Sequence, residues 1–146
     1  MMMIIQLIMS FLASAAFGIL FNVPRKSLLQ CGFVGMCGWM TYIWLDTYYM
    51  DAILSTLIAS VLVAIISQFF AKYYKTPIII FSVSGIIPLV PGGLAYDAMR
   101  KFVENDYSIA LEVAAKAFMI SGAIAFGLVF SEVINQVIKR INTSKT

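Results

Sequence analysis

Residues 86–93 read Ile-Ile-Pro-Leu-Val-Pro-Gly-Gly and interrupt an apolar run, Ile78 to Leu94, that would otherwise make a membrane helix. Proline removes a backbone donor and clashes with the preceding turn, so Pro88 and Pro91 stop that helix. Gly92 and Gly93 accept backbone conformations that other residues avoid. In hydrocarbon every freed N–H and C=O needs a partner, so broken backbone survives only against protein or a water-filled cavity. Two readings follow. One is a break near the bilayer middle, the device from which many transporters build binding sites. The other is a helix end at the membrane surface, where Pro and Gly cost little.

The surrounding chain demands a membrane. Of 146 residues, 62% are hydrophobic and 12% charged, where a soluble domain is about half apolar and a quarter charged. The mean hydropathy is +0.94. These values leave no room for a soluble domain beside the spans. The net charge of +3 does not point to nucleic acid, because the basic residues sit in short loops, as membrane orientation requires. Histidine is absent, which removes the commonest general base and a leading metal ligand. Cys31 and Cys37 are six apart on one expected helix and point to different faces, so they read as inert thiols rather than a disulfide or metal pair. Ala13-Ser14-Ala15 resembles a signal cleavage site, but no Lys or Arg precedes the apolar stretch, so a retained helix is expected.

The expected fold is an all-α integral membrane protein, one transmembrane domain over 1–146 with about five helices. Helix 1 spans Met3 to Phe21, with Ser10, Ser14, Gly18 and Asn22 as a small face that lets backbones approach. Helix 2 spans Leu28 to Leu45, slimmed by Gly32, Gly35 and Gly38, with Trp39, Tyr42 and Trp44 expected at its interfacial end. Helix 3 spans Ala52 to Ala71 and carries Thr56, Ser60, Ala64 and Gln68 on one face. Gln68 serves either an interhelical hydrogen bond or a pathway. Helix 4 spans 78–104, broken at 88–93. Pro88 lies ~15 Å from Ile78, about half the ~30 Å core, and the uninterrupted run to Gly93 reaches only ~24 Å. That shortfall favours a broken span that continues into the amphipathic segment 94–105; the alternative lays this segment flat on the surface. Helix 5 spans Ile109 to Ile138, with Ala114, Ala117, Ser121 and Ala125 as its small face and Glu112 and Lys116 as a helix ion pair. Glu132 falls near the membrane boundary, not far from Lys139 and Arg140.

With five spans, Arg25, Lys26, Lys72, Lys75, Lys139, Arg140 and Lys145 fall on one side, and only Arg100 and Lys101 dissent. The positive-inside rule then puts the N-terminus outside and the C-terminus in the cytoplasm.

Phe21-Asn22-Val23-Pro24-Arg25, Gln68, and Ile87-Pro88-Leu89-Val90-Pro91-Gly92 followed by Tyr96 and Met99 resemble the small half of the threonine/serine exporter family. The likeness covers nearly the whole chain in length and helix spacing. It implies a bacterial-type inner-membrane exporter of small carboxylate metabolites, with succinate associated with split systems and threonine and serine with fused ones. It also implies a larger partner subunit with a similar Pro-x-x-Pro-Gly element, and hence a hetero-oligomer. Homo-oligomerisation is a further expectation.

The expected substrate pathway comprises Pro88, Pro91, Gly92 and Gly93 at the break, Asn22 and Gln68 as neutral hydrogen-bonding groups nearer the cytoplasmic mouth, Tyr96, and Arg100 drawing anions at the outer opening. The helix N-terminus near Gly93 carries partial positive charge that suits a carboxylate. A membrane enzyme using Asp97, Glu104 and Asp106 is a competing reading. No metal-ligand cluster, nucleophile–base pair or phosphate loop supports it, and no cofactor is expected. A third reading is an assembly subunit lining no pathway.

Overall fold

The computed structural model describes residues 2–143, and among them every regular element is helical. The helices are α1 (Met2–Leu20), α2 (Leu28–Tyr48), α3 (Ala52–Tyr74), α4 (Ile79–Ile86), α5 (Gly92–Val103) and α6 (Tyr107–Thr143), with 3-10 turns at Arg25–Ser27 and Ile87–Leu89. Four of them, α1, α2, α3 and α6, are long and apolar enough to cross a membrane, and the pair α4–α5 makes a fifth span if counted together. Several helices run past the apolar stretches that mark them in sequence. α2 continues to Tyr48 rather than Leu45, α3 to Tyr74 rather than Ala71, and α6 extends beyond Ile138. All the added residues but Ile141 are polar or aromatic and suit the membrane boundary, so hydropathy ends before the hydrogen-bond ladder does. Lys145 lies outside the described residues.

Three of the helices, α1, α3 and α5, stop in the same way. Asn22, Lys75 and Asn105 adopt φ values of 56°, 52° and 64°. In each case the next N–H reaches back to a carbonyl five residues earlier, Val23 to Gly18 at 2.9 Å, Thr76 to Ala71 at 3.1 Å and Asp106 to Lys101 at 3.0 Å. These left-handed caps satisfy carbonyls that a helix end leaves free.

α4 sits among α1, α2 and α3. Phe81, Ser84 and Gly85 on α4 are buried, as are Cys31, Val34 and the three α2 glycines. Lipid tails supply no hydrophobic drive between helices, so association relies on close backbones and hydrogen bonds. The glycines provide the approach: a Cβ on Gly35 would meet the Ser14 side chain, and one on Gly85 would stand 2.5 Å from Val34 Cγ1. Buried hydroxyls turn back onto their own helices, with Thr56 on Ala52 O at 2.6 Å, Ser67 on Val63 O at 2.7 Å and Ser84 on Ile80 O at 2.9 Å. Across helices, the Cys31 thiol donates to Ile80 O at 3.5 Å.

α3 and α6 run parallel. Ser60 faces Ala123, Gln68 faces Ser131 and Lys72 faces Asn135, all at a separation of 63 residues. A constant difference, rather than a constant sum, means the same direction. The segment between them therefore has to return across the bundle, and α4–α5 makes that return. The Gln30 carboxamide lies 3.0 Å from the Tyr74 hydroxyl, which puts the start of α2 beside the end of α3. Arg25, Lys26, Lys72, Lys75 and Arg140 thus share one end of the bundle, and Asp46 and Asp51 mark the other.

The buried side of α6 is Ala110, Ala117, Ile120, Ala123, Ile124, Gly127 and Ser131. Of the expected small face only Ala117 is buried within the chain; Ala114, Ser121 and Ala125 are exposed, because α3 takes the stripe that contains Gly127, where a Cβ would strike the Ser60 hydroxyl. The expected Glu112–Lys116 pair does not form; among the described residues the ion pairs join Arg100 and Lys101 to Asp97 and Glu104.

Candidate functional site

The break begins where α4 loses a donor. Pro88 has no N–H to give the Ser84 carbonyl, its regular helical partner. The chain tightens into the 3-10 turn Ile87–Leu89, whose end is closed by Val90 N–H donating to Ile87 O at 3.3 Å. Pro91 then sits at φ −79° and ψ 51°, and Gly92 N–H donates to Val90 O at 2.8 Å. That is an inverse γ-turn. α5 leaves it at 49° to the α4 segment.

The break is level with the middle of α2. A Cβ built on Gly38 would lie 3.7 Å from Gly85 O and 3.8 Å from Leu89 Cδ1. Pro88, Pro91 and Gly93 share a recess of 220 Å³ with Trp39, Tyr42, Thr56 and Ile120. On its other side, Pro91 and Gly92 border a more apolar cleft of 420 Å³ between α5 and α6, walled by Ala98, Ala114 and Ser121.

α5 begins with free donors. After Gly92, whose N–H closes the turn, the next to find a carbonyl is Ala95 N–H, on Pro91 O at 3.1 Å; among the described residues no acceptor meets the N–H of Gly93 or Leu94. Gly92 and Gly93 are exposed, and a Cβ on either would meet nothing within 4 Å. Neither glycine has positive φ. The conformational freedom of glycine is not used here: two prolines already make the turn, and the glycines leave open space over the start of α5.

The eight expected pathway residues fall into separate groups. Pro88, Pro91, Gly92 and Gly93 are together at the break. Tyr96, 68% exposed, is on α5 just beyond it. Arg100 lies further along, 3.8 Å from both Asp97 Oδ1 and Glu104 Oε1, so its charge is shared with neighbouring carboxylates. Glu104 also accepts from Lys101 Nζ at 2.8 Å. That hydrogen bond, with the nearby positive charges, holds the Glu104 carboxyl below its ordinary range. Asn22 is at the Lys72 end of the bundle as the left-handed stop of α1. Gln68 is at that same end, its Nε2 donating to Ser131 O at 3.1 Å and Ser131 Oγ at 3.3 Å.

Trp39, Tyr42 and Thr56 at the break were not anticipated. The two aromatics, expected at the interfacial end of α2, pack with centroids 5.3 Å apart beside Pro88 instead. Of the three aromatics expected there, only Trp44, its ring 5.2 Å from that of Tyr49 and tilted to it, is near the helix end. Their three-residue spacing was the available signal, since it puts Trp39 and Tyr42 on one face of α2.

A family model described as "Threonine/Serine exporter, ThrE" matches residues 6–134. No solved structure matches the chain.

Proposed function

The chain belongs to the threonine/serine exporter family, and from that premise we propose that it forms one membrane half of an exporter whose route passes the Pro88–Gly93 break. The family supports a multi-pass membrane protein with an exporter-type transport role. The finer proposal is a secondary-type exporter for small carboxylate metabolites, either threonine/serine-like amino acids or succinate, completed by a larger membrane subunit.

One observation carries this reading. The N–H groups of Gly93 and Leu94 are free at a level well inside the bundle, and the space over Gly92 and Gly93 is open. Lipid cannot satisfy those donors. The face they occupy therefore belongs to water or protein, and a pathway walled by a partner subunit supplies both. The start of α5 carries partial positive charge suited to a passing carboxylate. Trp39, Tyr42 and Thr56 would form the opposite wall. The positive-inside rule puts the Lys72 end in the cytoplasm of a bacterial-type inner membrane.

The test is flux of labelled threonine, serine and succinate in liposomes containing this chain and its co-purifying subunit. Gly92→Leu and Gly93→Leu are expected to lower flux per assembled complex at least tenfold. A Cβ added at either position meets nothing within 4 Å, so the substitutions start from open space, and a loss of flux in intact complex reports on what that space is used for. Near-normal flux in both variants removes the break from the route. Flux lost only in proportion to lost complex makes the element an assembly contact.

A further inference from the structure

A second recess, of 340 Å³, opens at the Lys72 end between α3, the 75–78 link and α6, lined chiefly by Gln68, Lys72, Thr76, Glu132, Asn135 and Gln136. Small-molecule sites occupy about 300–1,000 Å³. Its polar groups come from opposing helices. Because α3 and α6 are parallel, residues of equal level face each other across the gap, and Lys72 Nζ reaches Asn135 Oδ1 at 3.3 Å. Gln68 is fixed by its two bonds to Ser131, and its Oε1 has no donor among the described residues.

Glu132 is next to Ser131, near the end of the apolar stretch Tyr107–Val137 of α6 and at the same charged end of the bundle as Lys72. Among the residues whose side chains are described, which do not include Lys139, no cation lies within 4.0 Å of it. Thr76 adds a covered Oγ1 with no hydrogen-bond partner. One recess thus carries a cation and a carboxylate that are not joined to each other, beside a positioned amide.

We infer that this recess binds a small zwitterion, with its anionic oxygen on Lys72, its ammonium on Glu132 and a further donor on Gln68 Oε1. A free amino acid and an ethanolamine phospholipid headgroup share that chemistry. If the occupant is the free solute, the recess is where the transported molecule loads; that role rests on the exporter reading above, whereas the binding does not.

The test is calorimetric titration of the full chain, purified from membranes with any subunit that accompanies it. The probes are L-serine, ethanolamine (serine without its carboxylate), hydroxypropionate (serine without its amine) and phosphoethanolamine. L-serine is expected to saturate the wild type, and Lys72→Gln and Glu132→Gln are each expected to weaken it about tenfold, the scale of one lost charge-assisted hydrogen bond. Ethanolamine should feel only Glu132→Gln, and hydroxypropionate only Lys72→Gln. Both side chains are exposed, and an unchanged elution volume verifies that the variants are folded. If phosphoethanolamine gives the serine pattern and serine does not bind, and ethanolamine phospholipid co-purifies with the wild type only, the site stands and its loading role falls. Absence of saturable binding by all four probes, or binding indifferent to both substitutions, overturns the site. Since the readout is binding, a failure of flux in liposomes leaves each of these outcomes legible.

Discussion

Gly85→Ala tests whether α4 is wedged between α2 and α3 as tightly as the structure has it. The added Cβ would stand 2.5 Å from Val34 Cγ1 and 2.8 Å from Val63 Cγ1, where relaxed carbon contacts are about 3.5–4.0 Å. Both valines have 0% exposure, so neither has free volume to turn into. Relief requires α4 to retreat by about 1 Å, and overpacking of that kind costs about 1–3 kcal/mol. At about 2–4 °C per kcal/mol for a chain of this size, the unfolding midpoint falls on the order of 5 °C. Val34→Ala removes the closest methyl and leaves its Cβ at 3.4 Å. Val34→Ala with Gly85→Ala should therefore lose less than the sum of the single changes, with a coupling of about 1 kcal/mol. Fluorescence-detected melting in detergent, on protein purified from membranes, reads all four species. A Gly85→Ala midpoint equal to wild type, or strict additivity with Val34→Ala, would refute the packing of α4.

Gly127→Ala should separate α3 from α6, because its Cβ meets the Ser60 hydroxyl and lies 3.0 Å from the Leu57 carbonyl. Ser60→Ala should restore only part of the loss, since the backbone contact remains; full rescue in the same melting assay would contradict that account. In a background lacking Cys31 and Cys37, a cysteine at Lys26 should resist impermeant reagent added from outside and one at Thr47 should react; the reverse pattern would invert the proposed orientation. Lys26 is preferred to its neighbour Ser27, which is buried. Glu104 is held below its ordinary carboxylate range by Lys101, so its contribution to the end of α5 is present above the unfolded-state value and lost as pH falls through the lowered one. Glu104→Gln should consequently reduce protection from proteolysis at Asn105 at neutral pH and make no difference in acid; an equal effect at both would exclude the ion pair as the cause.

The membrane class, the spans and the small faces of α1, α2 and α3 were legible because hydropathy and residue size report on lipid and on close backbones. Ser10, Ser14 and Gly18 are buried as their four-residue spacing requires, and so are Gly32, Gly35 and Gly38. The face of α6 was not legible. Ala114, Ser121 and Ala125 are as small as the buried Ala117 and Ala123, and only the register with α3 separates them. Trp39 and Tyr42 misled for a related reason. Aromatic rings serve both at interfaces and beside a recess inside the bundle, and composition alone favours the commoner use. Gly92 and Gly93 offer both conformational freedom and lack of bulk, and only the second is used, because the prolines bend the chain. The recess around Lys72 and Glu132 escaped notice because its two charges are 60 residues apart in sequence and meet only through parallel packing.

That parallel packing also bears on assembly. Since α3 and α6 point the same way, the chain crosses from one end to the other an odd number of times between the start of α1 and the end of α6. An odd-membered half has its ends on opposite sides of the bundle. A partner half built alike but beginning on the other side would be related to it by an axis in the membrane plane, the arrangement from which many transporters make a shared central site. Such a partner would bring its own broken helix against the open side of this one. The free N–H groups of Gly93 and Leu94 would then face their counterparts across a common space, with no bulk at Gly92 or Gly93 to close it. The asymmetry of the break follows from the same picture: α4 is clasped on three sides by its own chain, while the start of α5 is left uncovered. The covered half fixes where the turn sits, and the uncovered half is what a second subunit and a solute would share.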